Sequence, residues 1–250
     1  MKYFVLSTQR SGSDLLRHTL IDIFDEASDG PDEWIVHPLT RQNLKLPESY
    51  EKALELVIDN PEKLIDEMSP NSHRKVMYSH LGKYLNLPKS IPVVHLIRKD
   101  SWSQAKSYWI MKQNIVPAHI SQENFSKMEK VDISLKIDYE EIEKLAKTFF
   151  KQKQNWFYGL KNRPNTLLLY YEEDLANTNE LIKTTIPKIE FFLNKKRKLE
   201  EYDIPLKKTS TLYTIENRDL KREKRLIEKY YFRPTFKYWF KNKVKSVLGM

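Results

Sequence analysis

The chain contains no cysteine. Without thiols it can form neither a disulfide framework nor a thiolate metal site, and such a composition suits a reducing compartment. Long apolar runs are also missing. The opening segment MKYFVLSTQR carries an apolar run too short for a secretory leader, and no stretch approaches a membrane span, so a cytoplasmic location is expected. There is no Pro/Gly/Ser-rich linker and no internal repeat. The 250 residues, 40% hydrophobic and 12% aromatic, are therefore expected to form one α/β domain over residues 1–216 with a C-terminal extension over 217–250. His18, His37, His73, His95 and His119 show no metal-ligand spacing, and no metal is expected.

What the chain does have is an alternation of apolar runs with helical patterns. Strands are predicted at 3–7, 75–79, 92–97 and 166–171, and helices at 13–25, 49–57, 61–68, 101–113, 138–159, 179–194 and 213–230. Strand followed by helix, repeated, is the pattern of a three-layer α/β fold: a mostly parallel sheet flanked by helices. His95, inside an apolar strand, reads as core. Trp102 and Trp109, seven apart on one helix, share a face that packs in a core or flanks a planar ligand.

Residues 6–16, LSTQRSGSDLL, run from an apolar strand through a turn of small residues into a helix. The backbone N–H groups of Ser11, Gly12 and Ser13 can converge there on a phosphate oxygen. The helix dipole adds attraction, and Arg10 can supply a charged fork. A nucleotide kinase or NTPase would carry G-x-x-x-x-G-K-[ST]. Here the first Gly is absent, Ser13 follows Gly12 directly, and no apolar strand ends in a convincing magnesium-binding Asp. A second strand–corner–helix unit lies at residues 91–109, IPVVHLIRKDSWSQAKSYW, in which Asp100 or Ser101 can cap the helix.

STQRSGSDLL resembles the 5′-phosphosulfate loop of sulfotransferases that use 3′-phosphoadenosine 5′-phosphosulfate (PAPS). The second unit resembles that family's 3′-phosphate motif, in which a Ser follows an Arg by eight residues. Ser107 lies eight residues after Lys99 and nine after Arg98. Strict spacing thus puts Lys99 in the Arg position, and a Lys acts as a point charge without the bidentate fork, so either Arg98 or Lys99 remains available for the phosphate. GPDEW at residues 30–34, Gln104-Ala105, and LLLYYEEDLANTNELIKTTIPKIEFFL at 167–193 are similar to segments of the trehalose 2-sulfotransferase and lipopolysaccharide-type branch. The last of these resembles a Y-E-D-L segment followed by a helix ending in F-L.

The resemblance implies a P-loop-like phosphosulfate-binding turn of Arg10, Ser11, Gly12 and Ser13, and a 3′-phosphate site of Arg98 or Lys99 with Ser107. It makes Glu33 the general base and places Arg10 on the developing charge of the leaving phosphate. His80, at the end of the strand KVMYSHL, would face the acceptor. PAPS is then the donor substrate, a carbohydrate or glycolipid the acceptor, and a homo-oligomer is within the habits of the branch. Asp14 departs from the Thr or Ser common there, and a carboxylate beside a phosphate repels it unless it points away. Lys207, Lys208 and Arg218 resemble the family's late basic residues too weakly to be assigned.

Charge is unevenly spread. Residues 217–250 hold eleven Lys and Arg against three Asp and Glu, an excess of eight out of a net +9. Phe236, Trp239, Phe240, Val244, Val247 and Leu248 recur at helical spacing beside Lys237, Lys241 and Lys245. Such a stretch either lies on an anionic membrane surface or packs on the body with its Lys heads in water. A basic nucleic-acid-binding protein is the competing class. The nearly neutral body and the lack of a helix-turn-helix, finger or RNP signature argue against it, so no nucleic acid is expected. A degenerate sulfotransferase that binds without turnover is the third alternative.

Overall fold

A computed structural model describes residues 1–27, 66, 68–78, 87–113, 136–199, 215 and 218–234. Four strands form one parallel sheet: β1 (Lys2–Ser7), β2 (Ser72–Met77), β3 (Val93–Ile97) and β4 (Thr166–Tyr170), in the order β2-β1-β3-β4. The chain leaves β1 toward β2, then crosses back to place β3 on the other side of β1. The direction of winding therefore reverses between β1 and β3, and in open α/β sheets ligands bind at the carboxyl ends of strands at such a reversal.

Side chains alternate across β1, and both faces are covered, as parallel sheets require. Tyr3 and Val5 pack with Val94, Leu96 and Leu169 under Leu16, Leu20 and Ile23 of helix α1 (Ser13–Phe24) and Ile186, Ile189 and Leu193. On the other face Phe4, Leu6, Val76 and Val93 meet Trp156 and Leu160. These last two lie on the long helix α3 (Tyr139–Leu160), which packs against α2 (Ser101–Lys112). The α/β, three-layer expectation is the architecture observed.

Local chemistry explains most boundaries. Asp100 caps α2 by accepting from Ser103 N at 2.9 Å, and Asp138 caps α3 by accepting from the amides of Glu140 and Glu141. Strand β2 begins at Ser72, three residues before the predicted start. His73, Arg74 and Lys75 hide its strand character, yet His73 and Lys75 are buried because each has a carboxylate partner, Glu26 and Asp14 respectively.

The helix predicted over 179–194 forms over Thr178–Leu193, with a π turn inside it. A π turn at Tyr171–Leu175 leads through a helical turn at Thr178–Glu180 into a second π turn at Leu181–Thr185 and then helix α4 (Ile186–Leu193). YEEDL carries one glutamate more than Y-E-D-L. The i+5 bond from Ala176 N to Tyr171 O, at 2.8 Å, is the geometry that absorbs one extra residue.

Helix α5 (Leu220–Lys229) is shorter than the 213–230 predicted, because Asp219 caps it by accepting from Arg222 N. Leu226 and Tyr230 pack with Trp102 and Phe149, and Phe232 N donates to Lys99 O at 2.8 Å, so this first part of the basic C-terminal stretch is joined to the body. Residues 235–250, including the aromatic and lysine stripes of the tail, lie outside the described residues, as do nearly all of the helices predicted at 49–57 and 61–68. No helix among the described residues is long and apolar enough to cross a membrane.

Candidate functional site

Residues 8–13 turn sharply between β1 and α1. Arg10 (φ 57°) and Gly12 (φ 88°) both adopt left-handed backbone, on either side of Ser11. For Arg10 that conformation is strained, and strain of this kind persists where surrounding contacts hold it. Three contacts do so here. Arg10 Nε donates to Ser107 Oγ at 3.2 Å, Arg98 Nη1 donates to Arg10 O at 3.1 Å, and Gln104 Nε2 donates to Thr8 Oγ1 at 2.7 Å and to Gln9 O. The turn after β1 is thereby tied to the corner after β3, across the reversal in winding. Sequence reasoning proposed the turn and the corner separately; the structure brings Arg10, Ser11, Gly12, Ser13, Arg98 and Ser107 together.

The two cations of the corner diverge. Arg98 lies 4.9 Å from the centroid of the Tyr171 ring, with its guanidinium turned to the phosphate-type turn. Lys99 points the other way, pairing with Glu173 and lying 4.0 Å over the ring of Tyr170. Burial, with the charges of Glu173 and Asp174, pushes the Tyr170 hydroxyl up to about 12, so that ring stays neutral under the Lys99 ammonium. Glu172 fixes the corner itself: its two carboxylate oxygens accept from Lys99 N at 2.9 Å and Asp100 N at 3.0 Å.

Asp14 does not leave a bare carboxylate at the turn. It pairs with the buried Lys75 of β2, so its charge is met by an ammonium from the adjoining strand.

Ser11 Oγ at the turn and Arg98 Nε at the corner are among the buried polar atoms that find no hydrogen-bond partner among the described residues. Gly12, as the cap of α1, has no side chain to offer the first-turn amides. Idle donors, an uncapped helix start and a guanidinium together fit a bound anion, because each gains a partner from a phosphate or sulfate oxygen.

Behind the turn sits a lysine that the sequence reading passed over. Lys153 of α3 is fully buried, and its Nζ donates to Arg98 O at 2.5 Å and Gln104 Oε1 at 2.9 Å. Burial pushes the ammonium down to about 7; the nearby Arg98 charge acts in the same direction, and Glu172 and Asp100 oppose it. A signal was available. The buried residues of α3 are Ile142, Ala146, Phe149, Lys153, Trp156 and Leu160, a regular inward stripe in which one position is charged. Tyr171 opens the YEEDL segment, and its ring lies against both Gly12 and Arg98.

The other aromatic and histidine candidates are structural. Trp102 stacks on Tyr139 with centroids 5.8 Å apart, and Trp109 Nε1 donates to Glu141 at 2.6 Å, both inside the α2–α3 core. His95 is buried beside Trp156, and burial pushes it down to about 3, so it stays neutral. Glu33 and His80 lie outside the described residues, as do Lys207 and Lys208.

No protein-family model and no curated protein matches this chain. Among solved structures it is similar to retinol dehydratase in complex with androsterone and the inactive cofactor PAP (18% identity, TM-score 0.47). That match covers 92% of this chain and 64% of the other, so the chain spans a little under two thirds of that protein's length. It is also similar to a sulfotransferase domain from the curacin biosynthetic pathway (17%, TM-score 0.45, covering 99% of this chain and 96% of the other). A third likeness is to a sulfotransferase domain of the Synechococcus PCC 7002 olefin synthase (13%, TM-score 0.47, 94% and 96%). With TM-scores below 0.5, these likenesses assign the chain neither a family nor an activity.

Proposed function

We propose that the chain is a sulfotransferase that moves a sulfuryl group from PAPS to a hydroxyl of a carbohydrate or glycolipid acceptor. The observation that carries this reading is the Arg10–Ser107 hydrogen bond, which joins a phosphate-type turn to a second basic corner at the carboxyl ends of two adjacent parallel strands. A donor with anionic groups on both the 3′ and the 5′ oxygen of one ribose needs two such sites side by side. A single mononucleotide loop would not explain the second.

In this reading Ser11, Gly12 and Ser13 receive the 5′-phosphosulfate through backbone amides and the Ser11 hydroxyl. Arg98 and Ser107 hold the 3′-phosphate, with Lys99 as the alternative cation favoured by motif spacing. Arg10 stabilises the charge that develops on the leaving phosphate, its guanidinium remaining protonated at any working pH. The acceptor oxygen forms a new bond to sulfur as the bond from sulfur to the 5′-phosphate oxygen breaks. The electron pair of that bond stays on the phosphate, giving 3′-phosphoadenosine 5′-phosphate (PAP), and the acceptor proton passes to the Glu33 carboxylate. Glu33, with His80 as a second group near the acceptor, is supported by the GPDEW and KVMYSHL segments of the sequence. The ion pair of Asp14 with Lys75 favours a working donor site over a degenerate one, since it answers the repulsion that the bare carboxylate would bring.

Calorimetric titration of the protein with PAP, with AMP and ATP as controls at fixed salt, tests the donor. Selective binding of the bisphosphate is expected, and equal binding of all three would overturn the reading. Glu33→Gln is expected to abolish transfer to the acceptor while leaving PAP affinity within about twofold. Transfer at the parent rate would remove Glu33 as the base.

A further inference from the structure

Lys153 sits where a stabilising side chain should be apolar. It occupies an inward position of α3 between Phe149 and Trp156, with its side chain almost wholly out of water. An ammonium there carries a large desolvation cost unless its hydrogen bonds are satisfied. Both of its acceptors among the described residues belong to the two segments that form the anion site. One is the carbonyl of Arg98, the residue whose own guanidinium reaches across to Arg10 O. The other is Gln104 Oε1, on a side chain whose Nε2 bonds Thr8 and Gln9 of the turn. One ammonium therefore reaches the corner directly and the turn through one amide.

Building on the donor reading above, we propose that Lys153 is a positioning residue for the donor's phosphates, clamping the Thr8–Ser13 turn to the Arg98 corner through Gln104 and placing buried positive charge behind both anions.

A consequence follows for protons. The charged groups that act on Lys153 are Glu172 from the π turn, Arg98 from the corner and Asp100 from the cap of α2. In the free protein burial holds Lys153 near 7, so at pH 8 it is mostly a neutral amine. Arrival of a multiply charged anion beside Arg98 favours the ammonium form, and donor binding should then take up a proton. The ligand does not supply this signal at pH 8, because a phosphate monoester with a second ionisation near pH 6 is already dianionic there.

The test is titration of the full chain with PAP at pH 8 in two buffers of different ionisation enthalpy, for the wild type and for Lys153→Met, a near-isosteric apolar change. Wild-type protein is expected to take up roughly half a proton or more per PAP bound, and Lys153→Met none. Lys153→Met should also bind PAP about tenfold or more weakly at pH 6.5, where the parent is charged. Should the variant fail to fold, the wild-type uptake decides alone: zero uptake between pH 8 and 9 overturns the assignment. PAP binding by the parent together with unchanged affinity and uptake in Lys153→Met would overturn the role of Lys153 and leave the donor reading standing. Absence of PAP binding by the wild type would overturn both.

Discussion

The Cα of Gly12 faces the ring of Tyr171 so closely that a β-carbon on residue 12 would lie 2.6 Å from Tyr171 Cδ2 and 2.8 Å from Cε2. Two independent requirements thus meet at one position: a left-handed φ of 88° and no room for a β-carbon. The same ring lies beneath the Arg98 guanidinium. Displacing it disturbs the turn and the corner together.

Gly12→Ala is accordingly expected to destabilise the protein by about 1–3 kcal/mol, from left-handed strain plus displacement of the ring. Denaturant unfolding measures the loss, and a variant as stable as the parent would contradict the close approach. Tyr171→Ala added to Gly12→Ala should recover only part of it, because the backbone term stays.

Ser107→Ala removes the hydroxyl that receives Arg10 Nε. The expected effect is roughly a tenfold fall in the preference for PAP over AMP, the size of one hydrogen bond to a charged group. Competitive titration reads it, and unchanged preference would place the 3′-phosphate elsewhere.

Asp14→Asn separates two quantities that usually move together. Lys75, with a wholly buried side chain, loses its carboxylate, so stability should drop by about 1–3 kcal/mol; Asp14 is itself part-exposed, which puts the loss below that of a fully buried pair. With a negative charge removed from the first turn of α1, PAP affinity should rise. Melting and calorimetry on the same preparation check both signs, and a fall in affinity would show that Asp14 helps the turn rather than opposing it.

Acid sensitivity should come from the opposite end of the sheet. Glu26 is buried and accepts from Tyr3 Oη at 2.9 Å, from His73 Nδ1 at 2.5 Å, and from Lys195. Burial would raise its carboxyl, but the hydrogen bonds from His73 and Lys195 and the charge of Lys195 outweigh that and hold it below the usual 4.5. Burial holds His73 below 6.5, chiefly as neutral imidazole. A depressed carboxylate loses its contribution as pH falls below 4.5. A depressed histidine penalises folding once the unfolded chain begins to take protons below 6.5. Both act in one direction, so denaturation midpoints should fall steadily from pH 7 toward pH 4. Glu26→Gln should cost about 3–5 kcal/mol at pH 7 by leaving Lys195 unmatched, and equal midpoints for parent and variant would refute the network.

The parts of this molecule that were legible in the sequence are those set by local rules. The apolar runs of β1 and β3, the turn at Gly12 and the cap at Asp100 all appeared where hydrophobic periodicity and capping chemistry placed them. What escaped depends on partners far away in the chain. Lys75 and His73 look like surface residues until Asp14 and Glu26 are seen beside them. The extra glutamate of YEEDL leaves hydrophobic spacing almost untouched, yet the segment forms a π turn in which the single Glu172 carboxylate reaches both corner amides. Lys153 broke its stripe visibly, but only Gln104 and Arg98 give that break a purpose.

The strand order also has a consequence for synthesis. The turn at Ser11 to Ser13 is made before every segment that holds it. Ser107, Lys153 and Tyr171, which hold it or its supports, follow in turn, and β4 must emerge before β3 has its outer neighbour. A nascent chain that ends before Arg98 therefore has the turn with none of these braces, and closing it requires contacts of high sequence separation, the slow kind in folding. The turn is thus fixed late relative to its own synthesis: it waits for Arg98, Gln104 and Ser107 to tie it to the corner, and for Tyr171 to fill the space beside Gly12.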